Sequence, residues 1–226
     1  YDADGEVEYA IAYGNNLISY PFENGQGVAD GLGDAAGSVY AVAGEGTAAL
    51  NTANGWVGSL SAFEGGNGYW LVASADFSFS FNSTDADGNG IARSIVEQPV
   101  LRAVPEVYSY SQSDQQAFFF VNNATIRGEA LESDDVIIAY NGDVIVGSRY
   151  WNGEFTDVPA MDAKAGDKIS FKVLDASSGE LLDMETDGNV QWINNGIEVV
   201  NLTDVFLPTE VSLSNAYPNP FNPVTM

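Results

Sequence analysis

Several short stretches of this chain alternate apolar and polar residues with a period of two, which is typical of half-buried β-strands. Residues 77–81 read Phe-Ser-Phe-Ser-Phe, and residues 169–173 alternate Ile, Phe and Val with Ser and Lys. A bulky apolar run at 117–121 also has strand length. Glycine-rich turns separate the stretches, and Asn141-Gly142 fits the type I′ turn of a hairpin. The pattern predicts an all-β fold of short antiparallel strands with Gly-rich turns.

The strand candidates form two groups, which predict two β-sandwich-like domains. An N-terminal β domain is expected at 1–82, with one weak helix at 27–36, and a second β-sandwich domain at 113–206. Residues 83–112 combine a polar turn with spaced prolines, so we expect a linker that packs some apolar side chains. Residues 207–226 end in a proline-rich stretch, which excludes a helix or a central strand and predicts an extended segment.

Composition excludes several kinds of chemistry. The chain has no Cys and no His, so thiol nucleophiles, imidazole bases and the usual zinc sites are excluded. A formal charge of −25 would repel nucleic acid and anionic membranes, and no apolar stretch is long enough for membrane insertion. The same charge favours either solubility in salty water or cation capture, and both can hold together.

One acidic turn is a candidate calcium loop. Asp85, Asp87 and Asn89 stand at the first, third and fifth positions before a glycine, and the Ile91 carbonyl would be the next ligand. The bidentate glutamate of an EF-hand would fall at Val96, so the match is incomplete and a remote carboxylate would have to help. The alternative is an acidic turn without Ca²⁺.

A set of aromatic residues beside glycine turns suggests binding surfaces. The candidates are Trp56, Tyr69, Trp70, Tyr150 and Trp151. Three interpretations stay open: exposed rings that stack on glycans, rings that fill a sandwich core, and rings at an interface with another subunit. Acidic pairs could in principle hydrolyse glycosides, but nothing singles out a pair, so we expect no enzyme activity and no catalytic residue.

The C-terminal segment carries a family resemblance. It contains Tyr217, Pro218, Asn219, Pro220 and Phe221, followed by Asn222-Pro223. This wording resembles the opening of the C-terminal sorting domain carried by cargo of the bacterial type IX secretion system. The resemblance implies export and a secreted or cell-surface location. It also implies that further β-strands would follow, so we expect only the first strand of that domain here, on a mature or processed piece of a longer product.

The body of the chain resembles modules of exported proteins that carry this sorting signal. The residues concerned include 16–21, 55–60 and 68–71 in the first half, and 116–121 and 147–151 in the second. Similar modules also occur in predicted structural proteins of marine phages. Neither resemblance implies a catalytic residue.

These observations predict a non-enzymatic extracellular structural or adhesive protein. It would self-associate, bind other surface proteins or decorate a cell surface or filament through strand edges and aromatic patches. Residues 207–226 would pair as an added strand. One alternative is a carbohydrate-binding accessory module of a secreted enzyme, with glycans as partners. Another is a fibre or decoration protein located in a phage virion.

Overall fold

A computed structural model of the chain describes residues 7–82 and 96–205, and it confirms the all-β class. The strands of the first half are β1 Tyr9–Ile11, β2 Gly14–Ser19, β3 Gln26–Gly27, β4 Val39–Ala43, β5 Ala48–Thr52, β6 Gly55–Gly58, β7 Ala62–Phe63, β8 Gly68–Ala73 and β9 Phe77–Phe79. Those of the second half are β10 Gln116–Ile126, β11 Glu129–Ala130, β12 Val136–Asn141, β13 Val144–Tyr150, β14 Thr156–Met161, β15 Ile169–Leu174, β16 Leu181–Asp187 and β17 Ile197–Asp204. Helical turns are short: α1 Val28–Leu32, followed by a 3₁₀ turn at Gly33–Ser38, and a second 3₁₀ turn at Glu106–Tyr108.

The first half is built on an open, antiparallel five-stranded sheet in the order β2-β8-β4-β5-β6. Two small strand pairs, β1-β9 and β3-β7, cover one face of this sheet together with α1. Aromatic rings fill the space between them, and Phe63 packs edge-on against Tyr69 and Phe81, each at a centroid separation of 5.0 Å. This face is the core of the first half.

The second half is an eight-stranded sheet that curls into a half-barrel. Its order is β11-β10-β17-β16-β15-β12-β13, and β14 also pairs with β10. The curl brings β13 against β14, where any side chain at Gly147 would overlap the backbone carbonyl of Pro159. The interior of the curl is apolar and includes Phe119, Phe171 and the fully buried Trp192.

One strand pair departs from the predicted antiparallel arrangement. β10 and β17 are parallel, with Phe118 opposite Ile197 and Thr125 opposite Thr203. Antiparallel neighbours can be joined by tight turns, but parallel neighbours need a long crossover. Here all the strands from β11 to β16 form that crossover, so no local turn in the sequence indicates the pairing.

A shared apolar layer joins the two halves, and β10 is its centre. Phe119 points into the curl, whereas Phe118 and Phe120 point the other way, onto β4 and β5 of the first half. Gly58 of β6 permits this close approach, because a Cβ there would lie 2.8 Å from the ring of Phe120. A strand that is buried on both faces needs apolar residues at every position, which accounts for the continuous run at 117–121.

The described part of the linker, residues 96–112, runs along the seam, the line where the two halves meet. The Gln98 amide bonds the backbone of the first half: its Oε1 accepts from the Ser61 amide at 2.9 Å, and its Nε2 donates to the Ser59 carbonyl at 2.6 Å. Arg102 donates to Asp134 of the second half at 2.6 Å. This segment therefore links the two halves through hydrogen bonds to each of them.

Candidate functional site

A cavity of about 350 Å³ opens at the seam, and we call it the seam cleft. β2 and β8 of the first half supply Leu17 and Trp70, the segment before β10 supplies Asp114, and β10 itself supplies Gln116. Glu45, in the turn between β4 and β5, also lines it. Both halves are therefore needed to form this cleft.

One wall of the seam cleft is apolar. Leu17 and Trp70 are directly opposite each other in the register of β2 and β8, so their side chains stand together on the same face of the sheet. Trp70 is partly buried against the shared apolar layer, whereas Leu17 remains 65% exposed. The second half covers the centre of this sheet face but leaves Leu17 and part of Trp70 open to solvent.

The lining of the seam cleft also includes a buried amide with an unmet hydrogen bond. Gln116 is only 4% exposed, and its Nε2 donates to the Gly44 carbonyl at 2.9 Å. That bond sets the orientation of the amide, because a carbonyl can accept only from the nitrogen. The Gln116 Oε1 atom has no partner among the described residues. An unpaired buried acceptor is uncommon in folded proteins, and here it lies in a residue that lines a cavity.

The charges around the seam cleft are acidic. Glu45 and Asp114 line it, and no Lys or Arg is among its lining residues in the described chain. The chain as a whole carries a formal charge of −25. Electrostatics therefore disfavour anionic ligands such as phosphates or carboxylates at this position.

Two of the five candidate aromatic residues pack in the core of the first half, which favours the core-filling interpretation for them over a ligand or subunit surface. Tyr69 is 3% exposed, and its hydroxyl accepts a hydrogen bond from the Glu64 amide at 2.8 Å. Burial raises the pKa of the Tyr69 hydroxyl. Trp56 is partly buried and packs against the same core, on the sheet face opposite Trp70.

The other aromatic pair lies at a second cleft of about 480 Å³ between the linker and the curled sheet. The guanidinium of Arg102 lies 3.7 Å from the ring centroid of Tyr150, so the linker covers one face of that ring. Trp151 is 9% exposed and packs with the interior of the curl. The core-filling interpretation therefore fits Trp151 best.

A buried polar cluster lies at the seam, and the sequence did not indicate it. The Asp157 carboxylate accepts from the Ser59 hydroxyl at 2.6 Å, from the Ser59 amide at 2.8 Å and from the Ala48 amide at 3.2 Å. Arg149 lies 3.3 Å from the same carboxylate and donates to the Gly46 carbonyl at 2.7 Å. Burial raises the pKa of Asp157, and the nearby Arg149 and the Ser59 hydrogen bond oppose that rise. Because these partners come from both halves, the cluster helps to hold the halves together.

The predicted calcium ligands Asp85, Asp87, Asn89 and Ile91 lie outside the described residues, as does the predicted sorting segment at 217–221. Residues 7–82 and 96–205 contain no group of three or more acidic, His or Cys side chains arranged to hold a metal ion. The calcium site stays a prediction.

No protein-family model, curated protein or solved structure matches this chain. No helix in the described part of the chain is both long enough and apolar enough to cross a membrane.

Proposed function

We propose that this chain is a non-enzymatic structural or adhesive protein of an extracellular surface, which associates with copies of itself or with other surface proteins. The observation that carries this proposal is the open five-stranded sheet. Its outer strands, β2 and β6, each have one hydrogen-bonded neighbour in that sheet. An exposed edge presents backbone donors and acceptors to another chain, which can add a strand there.

β2 is the better candidate edge of the two. Its sequence, Gly-Asn-Asn-Leu-Ile-Ser, contains none of the lysines or prolines with which proteins commonly block an edge. Asn15 and Leu17 are exposed along it. The Tyr9 hydroxyl donates to the Ser19 carbonyl at 2.6 Å, and the Asn16 Nδ2 donates to the Gly14 carbonyl at 3.0 Å, so the chain itself occupies one carbonyl at each end of the strand. The rest of β2 is long enough to pair with a short partner strand.

The composition and the buried polar groups also support this proposal. The C-terminal resemblance to a type IX sorting domain supports an extracellular location, and a chain without Cys depends on packing for its stability outside the cell. The Asp157–Arg149 pair is buried like many catalytic groups, but its hydrogen bonds serve the contact between the halves. This use supports a structural role for the cluster.

A charge placed on the β2 edge tests the proposal. We expect the native chain to form oligomers whose mass rises with concentration in analytical ultracentrifugation, and Asn15→Lys to shift the population to monomer. Ala53→Lys, in the exposed turn between β5 and β6, adds the same charge away from the edge and should leave the mass unchanged. A native chain that stays monomeric at every concentration would contradict the proposal, as would equal assembly of both variants.

A second arm of the same experiment addresses calcium. Repeating the measurement with Ca²⁺ and with a chelator should change the mass only if a bound cation stabilises the assembling form. Loss of assembly on chelation would favour the predicted loop at Asp85. Equal masses under both conditions would count against a role for calcium in assembly.

A further inference from the structure

The two walls of the seam cleft differ in a way that suits one class of ligand. Leu17 and the partly buried ring of Trp70 form the apolar wall, and Glu45, Asp114 and Gln116 contribute polar groups around it. A pyranose ring has the matching character, because its C–H face is apolar and its edge carries hydroxyl groups. Aromatic rings provide large, rigid contact areas for such a face, and carboxylates accept hydrogen bonds from hydroxyl groups.

The unpaired Gln116 Oε1 points to a ligand with hydrogen-bond donors. The atom is buried and has no partner among the described residues, whereas the Nε2 of the same amide is already bonded to Gly44. A sugar hydroxyl can donate to this oxygen. The atom is covered in the structure, so a donor reaches it only when the neighbouring segment moves outward. Residues 112–114 line the cleft next to Gln116 and belong to no helix or strand.

Charge narrows the ligand class further. Glu45 and Asp114 flank the cleft, and the described lining includes no basic residue. A phosphorylated, sulfated or uronic sugar would be repelled, whereas a neutral sugar would not. The volume of about 350 Å³ lies near the lower end of the range of roughly 300–1,000 Å³ found for small-ligand sites. It therefore suits a short stretch of a glycan better than a large ligand.

We propose that the seam cleft binds neutral carbohydrate, with one sugar ring stacked on Trp70 beside Leu17 and with its hydroxyls bonded to Gln116, Glu45 and Asp114. The cleft shares Leu17 with β2, but it would use the side chain of that residue, whereas the proposed assembly uses the backbone groups of the strand edge. It would give the protein a glycan partner whether or not the chain self-associates.

The first test measures binding of neutral oligosaccharides by isothermal titration calorimetry. The probes are gluco-, manno- and galacto-oligosaccharides, with an oligo-uronate of similar length as the anionic comparison. The Asn15→Lys chain is run beside the native chain, so that failure of assembly and failure of glycan binding are separate results. We expect at least one neutral series to bind and the oligo-uronate to bind much more weakly. No binding by any neutral series, or equal binding of the uronate, would overturn the proposal.

Variants then locate the site. Trp70→Ala should weaken binding by about tenfold or more, because it removes the stacking surface. Trp56→Ala removes a tryptophan from the opposite face of the same sheet and should leave affinity unchanged, with thermal unfolding used to confirm that each variant folds.

A second pair of variants carries less risk to folding. Leu17 and Tyr13 are both strongly exposed, at 65% and 76%, but only Leu17 lines the seam cleft. Leu17→Ala should therefore weaken binding while Tyr13→Ala does not. Binding that is unaffected by both Trp70→Ala and Leu17→Ala would place the sugar elsewhere and overturn the proposal.

Discussion

Both halves of the molecule are built from short strands, but the outer edges of their two main sheets differ. The five-stranded sheet stays open and ends in β2 and β6. The eight-stranded sheet curls until β13 packs against β14, although no hydrogen-bonded ladder joins these two strands. Such packing covers part of an edge that could otherwise pair with another chain, whereas an uncovered edge keeps its backbone groups available. The difference indicates that the second half is the more self-contained unit and that the first half offers surfaces to partners.

The largest expected effect comes from blocking closure of the curl. In Gly147→Ala the new Cβ would overlap the Pro159 carbonyl, and a backbone atom cannot turn aside as a side chain can. We expect a loss of about 5 kcal/mol in the free energy of unfolding, which is exceptional for one substitution. Urea unfolding followed by circular dichroism measures it.

Gly37→Ala is the matched control, since a Cβ at Gly37 meets no atom within 4 Å. It should change stability by less than about 1 kcal/mol. If Gly147→Ala were as mild as the control, β13 and β14 would not be in the close contact that distinguishes the curled sheet from the open one.

Removing an aromatic ring from the shared apolar layer should destabilise both halves together. Phe120→Ala leaves a cavity between the sheets, and a loss of about 3–5 kcal/mol is expected for a buried phenylalanine. Phe119→Ala should cost a similar amount, but its cavity lies inside the curl. Hydrogen exchange read by mass spectrometry separates the two cases. Phe120→Ala should lower protection in β4 and β5 as well as in β10, whereas Phe119→Ala should leave β4 and β5 protected. Equal patterns in the two variants would show that the layer does not couple the halves.

Local patterns in the sequence were enough to predict much of the fold. The alternating phenylalanines at 77–81 pack in the same core, and a hairpin joins β12 and β13 where Asn141-Gly142 predicts one, although its two turn residues are Gly142 and Asp143, because Asn141 still pairs with Val144. Both signals depend on neighbouring residues alone. The parallel pairing of β10 and β17 joins residues about eighty positions apart in the chain, and no local signal encodes it. The run at 117–121 also shows no alternation, because both faces of that strand are buried.

The candidate site was predictable only in part, for a related reason. Successive side chains on a strand point to opposite faces, so the adjacent pair Tyr69-Trp70 has to divide between the core and the seam. The sequence marks both residues as aromatic but does not show which face will be covered. Leu17 and Gln116 were not singled out, because their importance comes from strands that meet them only in the folded chain. Asp157 is a single acid among many, and only the fold shows that it is buried.

Lowering the pH should produce the smallest change in the free energy of unfolding, and the change should arise in the curled sheet. In the turn between β15 and β16, the Asp175 carboxylate accepts hydrogen bonds from the hydroxyls of Ser177 and Ser178, both at 2.7 Å, and these lower its pKa from 3.8 to about 2. Because the folded-state pKa lies below the unfolded one, this contribution is complete above about pH 4 and is lost as the pH falls towards 2. The difference in unfolding free energy between the native chain and Asp175→Asn should therefore narrow over that window.

The open sheet supplies the comparison for this effect. Its turn between β5 and β6 is held by the Thr52 hydroxyl, which donates to the Gly55 carbonyl at 2.8 Å and does not titrate in this range. The difference between the native chain and Thr52→Ala should stay constant from about pH 6 to pH 2, as measured by urea unfolding under the same conditions. If the Asp175 difference were equally constant, the carboxylate would not stabilise the turn through its charge. The unfolding free energy difference between native chain and variant should narrow only for Asp175→Asn. That result would show that the Asp175 turn depends on an ionised carboxylate and that the Thr52 turn does not.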